Sequence, residues 1–334
     1  MIAVTKCAFC GGDIKSNPDD LLLICPFCGT AQTVEGAKLK EHYMIRVHFD
    51  QNQSFTTLLD WVSKQLGVPG DLGSTAHLLK AEQIWYPFWV SRIDAQSSYK
   101  GLGRDATFSD EWPQYRGAYK RIDFFWKPES GEFSRNYEIK VPGVGAIDQD
   151  IKSMAIPTRA KEYFSHDHAE QYGGTLLHSQ MSEDGAKAAA KQIALDRQTG
   201  LITQEISKIE SRDDKVNIGE TFLVHVPVWE IQYRYGNKSF KASVSASTGY
   251  VIESEYPRSA AFRAMGLGLG FVLLIIGAVL LAMGLGVLEI PFAPIQELVG
   301  AYVGGDLVAG GLLMAVALVF MYKGASRKQA KEKE

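Results

Sequence analysis

The sequence has no cysteine beyond residue 28, no excess of positive charge and no apolar stretch at its N-terminus. Each lack removes a class of function. A formal net charge of −3 leaves no global attraction to nucleic acid, which is bound through a concentrated basic face. The first residues, MIAVTKCAFC, carry no apolar h-region, so no secretory signal is expected there. There is no P-loop, no HExxH and no GxSxG nucleophile elbow. Gly101-Leu102-Gly103-Arg104 is a GxG without a third glycine or a following helix pattern. The only cysteines fall in one cluster, which leaves no thiol for nucleophilic chemistry. The chain is therefore expected not to be an enzyme.

What the chain does have is sharply placed. Cys7-x2-Cys10 and Cys25-x2-Cys28 are separated by residues 11–24. Each CxxC can wrap one side of a tetrahedral site, and Gly11 and Gly29 follow where a tight turn makes positive φ cheap. Pro26 stiffens the second knuckle, and DIKSNPDDLLLI between the pairs reads as strand, turn, strand. The pattern predicts one structural Zn²⁺ held by Cys7, Cys10, Cys25 and Cys28, with no open position for catalysis. Iron is the lesser alternative, because rubredoxin-type sites use similar knuckles with a longer insert. In CAFCGG and CPFCGT, and in their spacing, residues 1–35 resemble the zinc ribbon family. Lys6, Lys15, Lys38 and Lys40 are offset by Asp13, Asp19, Asp20 and Glu35. A protein-docking ribbon is favoured over one that binds nucleic acid, so a nucleic-acid partner is not expected.

Near the other end lie two apolar segments, residues 264–287 and 303–322. The first holds no charged residue and exceeds the roughly 20 residues that span a bilayer core. Asp306 near the start of the second makes a re-entrant or surface helix its alternative. Arg258 and Arg263 precede the pair, and Lys323, Arg327, Lys328, Lys331 and Lys333 follow it. The connecting loop has Glu289 and Glu297 and no Lys or Arg. By the positive-inside rule the pair forms a transmembrane helical hairpin in the cell membrane, with the N-terminal region and the 323–334 tail in the cytosol. Gly266 with Gly270, Gly300 with Gly304, and Gly310 and Gly311 offer close helix approach. No ionisable residue sits mid-span, so an anchor is expected, not a transporter.

Between ribbon and spans, residues 36–257 read as a mixed α/β region with mostly antiparallel sheet, with 36–150 and 151–257 as its subdivisions. Apolar residues at helical spacing predict a helix over 55–66, ended by Gly67-Val68-Pro69-Gly70. A strand after Pro87 is expected to turn near Lys100-Gly101, and Lys127-Pro128 and Ser130-Gly131 to separate the two strands of a hairpin. His166 and His168 read as surface histidines. Residues 182–208 predict a helix capped by Ser182 and interrupted at Gly200, followed by three strands with turns at Gly236-Asn237 and Thr248-Gly249. Trp229, Ile231, Tyr233 and Tyr235 alternate onto one face. Val226-Pro227-Val228-Trp229 echoes Tyr86-Pro87-Phe88-Trp89. The echo marks either a duplicated helix-plus-sheet unit or proline at the first residue of two edge strands.

Residues 182–255, with their Thr-Gly turn before a short apolar strand, are similar to PepSY-type domains, which brings in a hydrolase or protease-regulating role as a further alternative. The order zinc ribbon, α/β region and paired C-terminal spans resembles bacterial membrane-anchored zinc-ribbon proteins associated with phage-shock protein A, an ESCRT-III-like membrane-remodelling protein. The Cys7/Cys10/Cys25/Cys28 knuckles and the terminal spans carry that resemblance. It implies an adaptor recruiting a cytosolic protein to the inner leaflet in membrane-stress maintenance, alone or as a homo- or hetero-oligomer. Trp85, Trp89, Trp112 and Trp126 are the aromatic candidates for a docking patch. The alternative from another class is a membrane-tethered nucleic-acid-binding regulator using the ribbon.

Overall fold

A computed structural model describes residues 3–39, 41–109, 121–145, 147–171, 173–285, 305–325 and 328–330. In chain order the elements are β1 (Ala3–Lys6), β2 (Asp13–Ser16), β3 (Leu22–Ile24), β4 (Ala31–Thr33), β5 (His42–Ile45), α1 (Gln51–Ser63) and α2 (Leu72–Thr75). Then come β6 (His77–Ser109), β7 (Arg121–Pro142), α3 (Gln149–Lys152), β8 (Lys161–Tyr163), α4 (His166–Glu170), β9 (Thr175–Leu176) and α5 (Glu183–Glu205). The chain continues with β10 (Lys208–Tyr235), β11 (Lys238–Ser245), β12 (Val251–Tyr256), α6 (Ala260–Gly284), α7 (Gly305–Ala325) and β13 (Lys328–Ala330). The fold is mixed α/β with mostly antiparallel sheet. It divides into two units that interleave along the chain: residues 1–47 with 83–228, and 48–82 with 229–334.

In the first unit, β1 pairs with β2 and β3 with β4, each antiparallel. β5 takes its partners from far along the chain, running parallel to Leu223–His225 of β10 and antiparallel to β8. β6 and β7 form one unbroken antiparallel ribbon from Phe88↔Pro142 to Ser109↔Arg121. This corrects two expectations, because neither Lys100-Gly101 nor the Lys127–Gly131 stretch turns. Gly101 is a close-approach site, where a side chain would collide with the Lys208 carbonyl. The Tyr99 hydroxyl lies 2.6 Å from where a Cβ on Gly131 would be, so that ring covers the glycine. Pro128 is tolerated because, among the described residues, β7 pairs only with β6 and its other edge needs no donor.

α5 lies on this ribbon through Ala186, Ala190, Ala194, Gln198 and Ile202, all buried and four residues apart. Small side chains let the helix approach Trp89, Ile93, Ile139 and Val141 closely, and Leu22, Ile24 and Ala31 of the β3–β4 hairpin join the same core. Ser182 caps the helix, its hydroxyl accepting from Gly185 N–H at 3.2 Å. The expected interruption at Gly200 does not occur. An interior glycine costs about 1 kcal/mol, and buried neighbours outweigh it: Gln198 Nε2 donates to Ala95 O at 3.0 Å, and Ile202 is fully buried. Trp85 and Trp89 are buried, which removes them from the docking-patch candidates. Trp112 lies outside the described residues. Pro87 and Pro227 each sit inside a strand, so neither begins an edge strand.

In the second unit, α1 starts at Gln51, four residues earlier than its apolar spacing suggests. Asp50 makes that start, accepting from Gln53 N–H at 2.8 Å while Gln53 Oε1 accepts from Asp50 N–H at 3.0 Å. Leu58, Leu59 and Val62 are buried, and the helix packs on β11 and β12. Trp229, Ile231 and Tyr233 are buried in alternation, and Trp229 Nε1 donates to Phe49 O at 2.8 Å. The turns at Gly236 and Gly249 have φ of 57° and 73°, as their glycines foretell.

Ala260–Ala282 of α6 is long and apolar enough to cross a membrane, and 11% of its most apolar window is buried. In α7 the apolar stretch is the shorter Gly310–Met321. The two helices pack together along a seam of Gly270, Gly277, Gly310 and Ala317. Gly270 and Gly277, seven residues apart, both lie on this seam; Gly300 and Gly304 lie outside the described residues. β12 before α6 and β13 after α7 are hydrogen-bonded antiparallel, Ser254 opposite Ala330. A Cβ at Gly310 would stand 2.9 Å from both Gly277 O and Leu281 N, which are backbone atoms that cannot rotate away. Gly310→Leu is therefore expected to destabilise the helix pair by about 1–3 kcal/mol. Thermal unfolding in detergent should register this, with Gly311→Leu as the neutral control because nothing lies within 4 Å of its Cβ.

Candidate metal centre

The two hairpins of residues 3–33 place a CxxC turn at each end of the site. Cys7 N–H donates to Gly12 O at 2.8 Å and Gly11 N–H to Cys7 O at 3.0 Å; Cys25 repeats this with Thr30 and Gly29, each at 3.0 Å. Gly11 and Gly29 have φ of 75° and 69°, a conformation other residues adopt only under strain. Phe9 N–H and Phe27 N–H each donate to the sulfur two residues back, Cys7 and Cys25, at 3.4 Å. Such amide donors stabilise a thiolate more than a thiol.

The four sulfurs converge. Cys7 and Cys28 Sγ are 3.7 Å apart, Cys10 and Cys25 3.5 Å, and all four lie within 4.8 Å of one another. A tetrahedral ion at about 2.3 Å from each sulfur sets neighbouring sulfurs about 3.8 Å apart. The cluster therefore could hold one metal ion, and both its spacing and its donor set fit a zinc ribbon. These distances also exceed an S–S bond, and the thiols are unlinked. Cys7 and Cys25 are buried, Cys28 is half-buried and Cys10 exposed. Burial pushes the Cys25 thiol up to about 12. At Cys28 burial acts in the same sense, but hydrogen bonds from the Thr30 hydroxyl and amide outweigh it and the thiol falls to about 7. A bound cation would deprotonate all four, so metal uptake releases protons.

Sequence reasoning missed the residues that tie this cluster to its surroundings. Gln32 is fully buried; Ala8 N–H donates to its Oε1 at 2.7 Å, and its Nε2 donates to Lys6 O at 3.1 Å, locking the first knuckle onto the second hairpin. His178 takes Ile24 N–H on Nδ1 at 3.2 Å and gives Nε2–H to Lys15 O at 3.1 Å. These partners assign its neutral tautomer and clamp β2 and β3 from the body side. Only a glutamine amid short strand residues could have hinted at the first, and nothing local signals the second.

The other histidines do not join the metal cluster. His166 and His168 are half-buried on α4 rather than at the surface, and His166 Nε2 lies 3.1 Å from Glu170 Oε1. A cavity of about 450 Å³ opens beside His166, between Phe27, Lys15 and Leu176. His42 and His225 form a buried pair, Nε2 to Nδ1 at 2.9 Å, with His225 Nε2–H donating to Leu177 O at 3.1 Å. Phe164 stacks on His42 at 4.3 Å.

The site is thus a four-cysteine knuckle pair that fits a zinc ribbon. Set against family models, curated proteins and solved structures, the chain finds no match in any of the three.

Proposed function

We propose that this chain is a membrane-anchored, non-enzymatic adaptor whose zinc-loaded ribbon docks a cytosolic protein partner. The observation that carries the reading is the union, in one chain, of a closed four-thiolate cluster and a helix apolar enough to cross a bilayer. Phe9 and Phe27, one on each knuckle, are 71% and 66% exposed. Two aromatic side chains held outward by a rigid metal-bound turn are anchors for a protein surface. The anchor is α6 with α7 as an antiparallel transmembrane hairpin, both ends cytosolic. Pairing of β12 with β13 supports this, since it brings the outer ends of the two helices to one side. Flanking Arg and Lys support the same orientation. The resemblance to phage-shock-associated proteins makes an ESCRT-III-like protein the partner to test first, and membrane-stress maintenance the setting.

Two of the ribbon's cations are already engaged within the ribbon, which weakens the nucleic-acid alternative. Lys6 is paired with Asp13 at 2.5 Å, and Lys38 lies over the Phe9 ring at 5.4 Å. The test is crosslinking in native membranes with the full chain and its Phe9→Ser/Phe27→Ser variant. The expected result is one cytosolic protein retained by the wild type and lost from the variant, with metal content unchanged in both. Equal capture by both would remove the ribbon as the docking face. Steeply salt-dependent DNA or RNA binding would replace the adaptor reading altogether.

A further inference from the structure

The cavity of about 450 Å³ beside His166 lies wholly within the first unit. Its size is that of a small-molecule site. The ribbon supplies one wall, with Ile14, Ile24 and Phe27 as its apolar part. Alternate residues Gly174, Leu176 and His178 line the cavity from the body of the unit.

That second wall is backed by β6. β9 runs parallel to it, with Ile84 beside Thr175 and Trp85 beside Leu176. Side chains alternate along a strand, so Gln83 and Trp85 share one face, and the register puts Leu176 on that face. Gln83 and Trp85 are buried, at 2% and 0% exposure. Neither amide atom of Gln83, nor the indole nitrogen of Trp85, has a hydrogen-bond partner among the described residues. Buried polar groups nearly always find a partner, and one left without is costly. Gly174 offers no side chain to cover them: a Cβ there would lie 2.7 Å from both Gln83 Oε1 and Trp85 Nε1.

Most of the charge on the walls is already answered within the protein. Asp13 pairs with Lys6 at 2.5 Å, and Glu170 Oε1 lies 3.1 Å from His166 Nε2. His178 commits both ring nitrogens to backbone partners. Lys15 is exposed and keeps its charge in water.

We propose that this cavity binds a small uncharged molecule with an apolar ring and an amide edge, a primary carboxamide or a lactam. The Trp85 N–H needs an acceptor, and the Gln83 amide needs an acceptor beside a donor. An amide edge sets those two groups side by side. Having no hydrogen bond to give up, the Gln83 side chain can turn past the glycine to meet it. Ile14, Ile24, Phe27 and Leu176 take the ring. A charged head in its place would be desolvated without a partner. This goes beyond the adaptor reading and needs neither a protein partner nor a membrane span.

The probe is para-fluorobenzamide, followed by fluorine NMR on the full, metal-loaded chain as purified, with para-fluorobenzoate as its charged counterpart. The expected result is saturable binding of the amide, with the benzoate at least tenfold weaker. One hydrogen bond lost from a buried group is worth about tenfold. Gln83→Leu should abolish binding at unchanged metal content while the melting temperature holds or rises, because leucine leaves no polar group unmatched. Trp85→Phe removes only the indole N–H from the same wall and should weaken binding about tenfold. No saturable binding of the amide at millimolar concentration would overturn the proposal. Equal binding of the two probes would also overturn it and assign the cavity to apolar burial alone. Tighter benzoate binding would assign it to Lys15 instead, and amide binding that survives both substitutions would remove Gln83 and Trp85 from the site.

Discussion

Replacing Cys25 by Ser is expected to drop bound metal from about one ion per chain towards none and to unfold residues 3–33. Cys25 is fully buried, and among the described residues the small core it shares holds Cys7, Ile14 and Leu23, with Cys28 against it. A core of that size cannot offset the chain entropy of its own strands. A structural zinc ion contributes roughly 10–16 kcal/mol in comparable peptides, so an ion held by the four cysteines would be the largest single contribution to the ribbon's stability. Damage should spread, because Leu22, Ile24 and Ala31 pack in one core with Trp89 and the α5 alanines. Metal analysis with limited proteolysis checks this. The variant should lose metal and gain cleavage within residues 3–33, while Cys10→Ser, at the exposed ligand, should retain weak binding. Full metal retention by Cys25→Ser would contradict the four-thiolate assignment.

Acidification is expected to destabilise the first unit through His42 and His225. Burial holds both imidazoles neutral: it lowers His225 to about 3 and His42 well below its ordinary value, with His225 beside His42 acting in the same direction. In the unfolded chain each titrates near 6.5. Above that pH neither state binds the proton, and the stabilisation is fully present. Below it the unfolded chain takes up protons that the folded one refuses, so stability falls as pH falls, from 6.5 towards 3 for His225. The slope is roughly 1.4 kcal/mol per pH unit from His225 alone, or about 3 kcal/mol by pH 4. That is a large share of a typical folding free energy of about 5–15 kcal/mol. Urea unfolding of the wild type and His225→Gln at pH 7, 6 and 5 measures it. The wild-type midpoint should fall with pH and the variant's should fall less; parallel curves would show that carboxylates, not this pair, carry the acid sensitivity.

The parts of the structure legible in the sequence are those fixed by local chemistry. The CxxC spacing brings Cys7, Cys10, Cys25 and Cys28 together, and Gly11, Gly29, Gly236 and Gly249 mark positive-φ turns. Ser182 starts α5, and the uncharged run after Arg263 is a helix. What was not legible rests on distant contacts. Gly101, Pro128 and Gly131 look like turn residues, yet each sits in a straight strand for a reason supplied from elsewhere: the Lys208 carbonyl, a free sheet edge and the Tyr99 ring. The parallel pairing of β5 with β10 joins His42–Met44 to Leu223–His225 across most of the chain, and the buried histidine pair exists only because of it. His178 likewise acquires its role from partners far along the chain, and Gln32 from the other knuckle of the ribbon.

The proposed function stands on a closed, sulfur-only metal site in a membrane-anchored chain. X-ray absorption at the zinc edge on the full chain, purified from carbonate-washed membranes, tests it most directly. One zinc per chain is expected, with four sulfurs at about 2.3 Å and no nitrogen or oxygen ligand. A zinc-free chain, or zinc bound by fewer than four sulfurs, would contradict it.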